Sequence, residues 1–411
     1  DALDHAVANQ ARLPFFERNY MIASQSMSAG TYASAIDAYN RILSRDPRDT
    51  RVLNTLALAH AARREYAVQE SLLVRAIGVD GDMPWLHTGL AMAAINQGKY
   101  DDARRALDRT EQRFTGLRST QLARIALAAS RQDWEWAERE AREATRGSAD
   151  SVDALEGLAT LGSILMAQGH LNEAEQQFRR VVTLGTRQGA MRQTIAASIR
   201  LAYMELRYRH APAAAVATMN STLARFPLAK MDPDDRPYDD VARLLADAGQ
   251  PVRAGELMAE AARTRGARSA DANRRWTAGA IAMAERRAWE GEIEIQGAAE
   301  SHPCPICVLP DLARAYEVAG KPDLAIATYE RYVDAPWQRR FETDAIELGF
   351  ARKRLGELYT QQNERAKAAA QYSALLQLWH GADAELEPLL ADVRRRLDQT
   401  DRSAVSRGRV R

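Results

Sequence analysis

Apolar residues recur along most of the chain at i, i+3, i+4 and i+7, the spacing of an amphipathic helix. Runs that alternate apolar and polar residues, as a half-buried strand does, are almost absent from the sequence. Sparse glycine and proline residues interrupt the helical stretches, for example at Gly98, Gly169 and Pro322. The pattern therefore predicts an all-α chain of many short helices.

One motif is repeated within this helical pattern. In its clearest copy Gly162 follows Leu161 on a first helix, and Ala174 and Phe178 follow on a second. Small residues let the two helices of a hairpin approach closely, and we expect the aromatic residue to fill the groove to the next hairpin. The same offsets recur at Leu312, Ala313, Tyr316, Gly320, Ala325 and Tyr329, and at Leu355, Gly356, Tyr359, Ala368 and Tyr372.

The motif resembles the tetratricopeptide repeat, whose period is about 34 residues. The resemblance covers residues 16–380 and implies an all-α fold, a right-handed α-solenoid of about ten helical hairpins. A helix at 383–398 with a polar face of three arginines is predicted to cap its C-terminal end. In such a solenoid each unit touches mainly its neighbours, so we expect stability to be close to a sum of local terms.

Three proline and five aspartate residues lie between Phe226 and Asp240 and predict a bend. The chain is therefore divided into an N-terminal half, residues 1–230, and a C-terminal half, residues 231–399, which includes the capping helix. Residues 400–411 contain four arginines and no apolar period, so they are predicted to be a flexible basic tail.

The composition narrows the range of partners. The chain has 56 basic and 55 acidic residues, and this balance argues against nucleic acid as a partner. No apolar run is long enough to insert into a membrane. The abundance of arginine and alanine indicates a bacterial source. The sequence begins at Asp1 without methionine, so a processed chain or a piece of a longer one is expected.

Motifs for catalysis are missing from the sequence. It has no Gly-x-Ser-x-Gly, no Gly-x-x-x-x-Gly-Lys and no Gly-x-Gly-x-x-Gly, and no two of its seven histidines are spaced as a helical metal pair. We therefore expect no enzymatic activity and predict no cofactor.

Both cysteines lie in one Cys-x-x-Cys segment, which runs from Ser301 to Cys307. Three interpretations compete. The segment is a structural joint between repeats, with or without a disulfide between Cys304 and Cys307; or it binds a metal through His302 and both thiolates; or it is a redox motif. The structural joint is preferred, because the sequence offers no second cysteine pair as further metal ligands and no βαβ context for a redox motif. A disulfide requires an oxidising compartment, and an extracytoplasmic location is favoured over a cytoplasmic one.

Three segments are similar to the C-terminal repeat regions of bacterial receptor-like serine/threonine kinases and related signalling proteins. They are residues 11–18, 304–320 and 378–388. The similarity is to the repeats and not to the kinase domain, so it implies a role in bacterial signalling and no kinase activity.

In tetratricopeptide proteins the first helix of each hairpin lines the inner, concave wall, so the resemblance implies that a protein or peptide partner binds there. The residues predicted on this wall are Arg51, Asn54, Trp85, Thr88, Met92, Arg314, Glu317, Lys353, Arg354 and Glu357. The resulting hypothesis is a protein-binding scaffold or sensor module. Two alternatives are a solenoid that assembles head to tail into a filament or tube, and a sensor domain that binds a small molecule.

Overall fold

The structure is a computed structural model that describes residues 13–146, 152–232, 235–265 and 271–408. In these ranges the chain is helical and contains no strand. Twenty helices form ten successive hairpins, units 1 to 10, each made of an A helix and a B helix, and a last helix follows them. The predicted all-α solenoid of about ten hairpins with a C-terminal helix is confirmed.

The helices run in chain order as follows: α1 (Phe15–Ser28), α2 (Tyr32–Arg45), α3 (Thr50–Ala62), α4 (Tyr66–Val79), α5 (Pro84–Asn96), α6 (Tyr100–Arg113), α7 (Arg118–Ser130), α8 (Trp134–Ala144), α9 (Val152–Ala167), α10 (Leu171–Gln188), α11 (Met191–Tyr203), α12 (Pro212–Arg225), α13 (Tyr238–Asp247), α14 (Pro251–Arg265), α15 (Asp271–Ala284), α16 (Ala288–Ser301), α17 (Leu309–Val318), α18 (Pro322–Asp334), α19 (Arg340–Gln361), α20 (Arg365–Leu378) and α21 (Glu387–Gly408). A π-helix (Met204–Tyr208) extends α11.

Each hairpin turns at a single residue in the left-handed conformation, with φ between 54° and 78°. Five of these residues are glycine, which has no Cβ to strain there. The other five are Arg64, Gln132, His210, Arg286 and Asn363. A side chain in this conformation costs roughly 1–2 kcal/mol, which the packing of the hairpin must offset.

The repeated small and aromatic residues meet within one hairpin. A Cβ added to Gly162 would lie 2.8 Å from the Phe178 ring, and one added to Gly356 would lie 2.6 Å from the Tyr372 ring. The aromatic side chain of the B helix therefore packs on the small residue of its own A helix, whereas we expected it in the groove to the next hairpin.

Successive superhelical turns of the solenoid are in contact with each other. Arg64 Nε donates to the His302 carbonyl at 2.9 Å, the Gln338 amide to Asn96 Oδ1 at 2.9 Å, and Trp379 Nε1 to the Ala167 carbonyl at 3.0 Å. These bonds join hairpin turns of units 2 to 5 to the ends of B helices in units 8 to 10. Most contacts between helices lie within a unit or between neighbouring units, as we expected, but these bonds also join units that are distant in the sequence. The additivity of local stability stays a prediction.

Helix α19 has 22 residues and extends across the solenoid onto α9. A buried ion pair fixes the start of this extension, because Asp344 accepts hydrogen bonds from Arg340 Nε at 2.6 Å and Tyr332 Oη at 2.8 Å. Arg340 also donates to the carbonyls of Ala335 and Val333, at the end of α18. The side chains of Arg340 and Asp344 are only 1% and 0% exposed, so these contacts, and not water, compensate their charges.

Three aromatic rings join α19 to units 5 and 6. The ring centroids of Tyr208 and Phe350 lie 5.0 Å apart, and Trp379 lies within 6.0 Å of both. Tyr208 Oη lies within hydrogen-bond distance of the Met166 and Ala345 carbonyls. Gly349 is required here, since a Cβ would overlap the indole of Trp379.

Apolar packing runs across residue 230, the predicted boundary between halves. One cluster contains Ile195 and Met219 before this position and Tyr238 and Val241 after it. Helix α21 continues to Gly408, so residues 400–408 are helical instead of forming the separate tail we predicted, and residues 409–411 lie outside the described residues. No described helix has both the length and the apolarity needed to cross a bilayer.

Candidate functional site

A half-open cavity of about 400 Å³ lies among the C-terminal units. The A helices of units 6, 7, 9 and 10 supply most of its surface. It is lined by Leu206, Arg207, His210, Asp247, Arg314, Glu317, Tyr329, Glu347, Phe350, Ala351 and Arg354.

Two irregular elements shape this cavity. The π-helix (Met204–Tyr208) widens the last turn of α11 and brings Leu206 and Arg207 to the wall. The N-terminal extension of α19 supplies Glu347 and Phe350. π-Helical segments in proteins are often found at functional sites, so this local departure from the repeat makes the cavity a candidate functional site.

Glu347 is the hub of the ion pairs at the cavity floor. It pairs with Arg314 at 2.6 Å and with Arg207 at 3.2 Å. Arg314 also pairs with Asp311, which accepts a further hydrogen bond from Trp276 Nε1 at 2.8 Å. The neighbouring carboxylates Glu347 and Asp311 raise the pKa of Arg314 against the opposing effect of burial.

Asp247 is held more loosely than these carboxylates. Its Oδ2 lies 3.5 Å from both Arg207 Nη2 and Tyr203 Oη. The side chain is surrounded by protein yet keeps 24% of its surface exposed, because it faces the cavity. Burial raises the pKa of Asp247 to about 6, and the Arg207 guanidinium offsets only part of this effect.

A second series of ion pairs leads from the cavity to the last helix. Glu317 accepts from Tyr329 Oη at 3.0 Å and from Arg354 Nε at 2.5 Å. Arg354 also pairs with Glu357 at 2.7 Å, and Glu357 with Lys353. Hydrogen bonds from Lys353 and Arg354 hold the pKa of Glu357 low, although burial opposes them.

The residues predicted on the concave wall fall into two separate groups. Arg314, Glu317 and Arg354 line the cavity, and Lys353 and Glu357 continue its ion pairs. The other five lie on α3 and α5 and do not reach this cavity: Arg51, Asn54, Trp85, Thr88 and Met92. Three further residues of the site were not predicted from the sequence. Arg207 and Asp247 lie in units 6 and 7, and Glu347 lies in the extension of α19, all outside the copies of the motif quoted above.

In the N-terminal group the side chains differ in exposure. Arg51 is exposed and lies 3.7 Å from Asp49. Trp85 is 53% exposed, whereas Thr88 is buried and donates to the Trp85 carbonyl at 3.2 Å. A buried threonine whose hydroxyl bonds its own helix is not available to a ligand.

Cys304 and Cys307 form a disulfide in the joint between α16 and α17. His302 lies beside them, with its ring edge-on to Trp276 and its Nε2 at 3.1 Å from Asn273 Oδ1. Burial lowers the pKa of His302 to about 4. Among the described residues, no group of three potential metal ligands comes together.

The cavity combines charged and apolar groups. Its lining contains three guanidinium groups, three carboxylates and an apolar surface of Leu206, Phe350 and Ala351. The family model of the tetratricopeptide repeat matches residues 155–184, which cover most of α9 and most of α10 in unit 5. Unit 5 therefore matches the tetratricopeptide repeat.

Several solved structures are similar to the chain at low sequence identity. A tetratricopeptide repeat protein from Parabacteroides merdae is 14% identical, with 70% of this chain and 93% of that chain covered and a TM-score of 0.35. Yeast Tom70 is 15% identical, with 93% and 78% covered and a TM-score of 0.36. The Cut9–Hcn1 hetero-tetramer of the APC/C is 12% identical, with 99% and 89% covered and a TM-score of 0.35. No curated protein matches the sequence.

Proposed function

We propose that this tetratricopeptide scaffold binds a segment of a partner protein along the A helices of units 6 to 10, with the cavity at the centre of the binding surface. The cavity carries the proposal, because convergent charged groups and an apolar surface line it together.

The similarity of three segments to kinase-associated repeats supports a role in bacterial signalling, as a module that senses or recruits a partner. The disulfide supports a location outside the cytoplasm, where such bonds persist. Fractionation of the source cells, with the disulfide state trapped by alkylation, tests the location. A fully reduced protein in the cytoplasmic fraction would contradict it.

Site-specific photo-crosslinking tests the binding surface. A benzophenone amino acid replaces Phe350 in the cavity, and in a control chain it replaces Trp289, which is 74% exposed on α16. We expect one discrete partner to cross-link from position 350 and not from position 289. Cross-linking of the same proteins from both positions, or of none from position 350, would refute the proposal.

Two charge-reversal variants, one on the binding surface and one as its control, test the same proposal. Arg354→Glu places a like charge beside Glu317 and Glu357 on the binding surface, while Lys367→Glu alters an exposed pair with Glu364 on α20. We expect Arg354→Glu to abolish cross-linking from position 350 and Lys367→Glu to leave it unchanged.

A further inference from the structure

Negative charge is in excess around the cavity. The connected ion pairs beside Asp247 join three carboxylates, Asp247, Asp311 and Glu347, to two guanidinium groups, Arg207 and Arg314. Each guanidinium already binds two carboxylates. A cation therefore finds a more favourable potential here than an anion does.

Asp247 is the carboxylate with the weakest partners. Its two contacts are both 3.5 Å long, whereas Glu347 and Glu317 have partners at 2.6 and 2.5 Å. The competing Arg207 is also loosely held, since its buried Nε has no hydrogen-bond acceptor among the described residues. An incoming cation thus gains a charge-assisted bond at Asp247 and displaces little.

The apolar part of the lining suits the stem of a long cationic side chain. Leu206, Phe350 and Ala351 lie beside the charged residues, and Tyr329 adds an aromatic ring. Lysine and arginine bury their methylene groups against such surfaces while the charged head reaches a carboxylate. An aromatic face nearby adds a cation–π attraction.

We propose that the cavity is the pocket for an arginine or lysine side chain of the bound peptide, whose head group pairs with Asp247. This inference rests on the function proposed above and names the chemistry of the ligand at its centre. Arginine is favoured over lysine, because its planar fork can donate two parallel hydrogen bonds to the Asp247 carboxylate.

Titration calorimetry with short capped peptides at pH 8, where Asp247 is ionised, tests the pocket. The probes are Ala-Ala-X-Ala-Ala with arginine, lysine, citrulline or glutamate at X, and free spermidine as a cation without a peptide backbone. We expect the arginine peptide to bind about tenfold tighter than the citrulline peptide, which has the same shape without the charge. Equal binding of these two, or preference for glutamate, would overturn the inference.

Variants of the protein assign the effect to one carboxylate. Asp247→Asn is nearly isosteric and is expected to remove the preference for arginine over citrulline, while Asp247→Glu retains it. Asp323→Asn, at an exposed residue of α18, is the control and leaves the preference intact. Circular dichroism checks that each variant is folded. An arginine preference that survives Asp247→Asn refutes the pocket.

The outcomes separate this inference from the proposed function. If position 350 cross-links a partner but the probes show no preference for arginine, the scaffold function stands and the cationic pocket falls. If spermidine binds as tightly as the arginine peptide and no partner cross-links, the pocket serves a small amine and the peptide-binding function falls.

Discussion

The contact between Arg64 and α16 gives a direct measure of the stacking between turns of the solenoid. Arg64 is the left-handed residue of its hairpin, with φ of 62°. Its guanidinium donates to the Ala299 carbonyl at 2.8 Å and twice to the His302 carbonyl. These carbonyls end α16, so Arg64 satisfies acceptors that have no partner within their own helix and places a cation at its negative end.

The variant Arg64→Gly changes two opposing contributions to the free energy of unfolding. It relieves a left-handed strain of about 1 kcal/mol but adds about 0.5–1 kcal/mol of chain entropy in the unfolded state. These two nearly cancel. The lost hydrogen bonds from a charged donor are worth about 1.5–3 kcal/mol in total after allowance for partial exposure. We expect a net destabilisation of about 2 kcal/mol.

Arg286→Gly is the matched control. Arg286 has a φ of 64° at the same position of unit 8, but it is exposed. Its replacement changes the same backbone contributions without breaking a contact between turns, so we expect a change within about 0.5 kcal/mol of zero. Urea unfolding followed by circular dichroism measures both variants, with hydrogen exchange of residues 299–304 as a local readout. Equal shifts in the two variants, with unchanged exchange, would show that the stacking contributes no stability.

Three further predictions concern other parts of the fold. In His302→Gln the free energy of unfolding should fall less steeply between pH 6.5 and 4 than in wild type. The unfolded imidazole binds a proton below pH 6.5 and the folded one only below about 4, so wild type loses about 3 kcal/mol through this group as the pH falls between these values; urea unfolding across that range measures it. Gly349→Ala should destabilise by about 1–3 kcal/mol through overlap with a buried indole, whereas Gly255→Ala, in open space on α14, should stabilise by up to about 1 kcal/mol; the reverse order in thermal melts would contradict the packing. Replacing Cys304 and Cys307 by serine should cost about 2 kcal/mol, the loop entropy of so short a bridge, and a reducing agent should then have no further effect on the melting temperature.

The repeat itself could be predicted because its signals are local. The pairing of Gly162 with Phe178, and of Gly356 with Tyr372, lies within one hairpin and leaves a regular spacing in the sequence. Ten hairpins could therefore be counted without knowing how they are arranged in space.

The arrangement between turns leaves no such signal. The rotation from each unit to the next is small, and it adds up over six units before Arg64 meets His302. The candidate site depends on this sum and on irregular elements, the π-helix that carries Arg207 and the extension of α19 that carries Glu347. A repeated motif contains only the residues that the units share, so it cannot predict residues that differ between units. For this reason only Arg314, Glu317 and Arg354 of the cavity were anticipated from the sequence.

The contacts between turns also restrict how this protein can change its length. Repeat proteins usually gain or lose whole units, because each added hairpin brings its own two interfaces. Here the hairpin turn of unit 2 reaches the end of α16 in unit 8, and Asp383 after unit 10 accepts from the Asn172 amide at the start of α10 in unit 5. Inserting or deleting one hairpin between such partners would rotate and shift every later unit away from its contact. Duplication within this solenoid is therefore expected to be tolerated at unit 1 and after α21, and to be selected against in between.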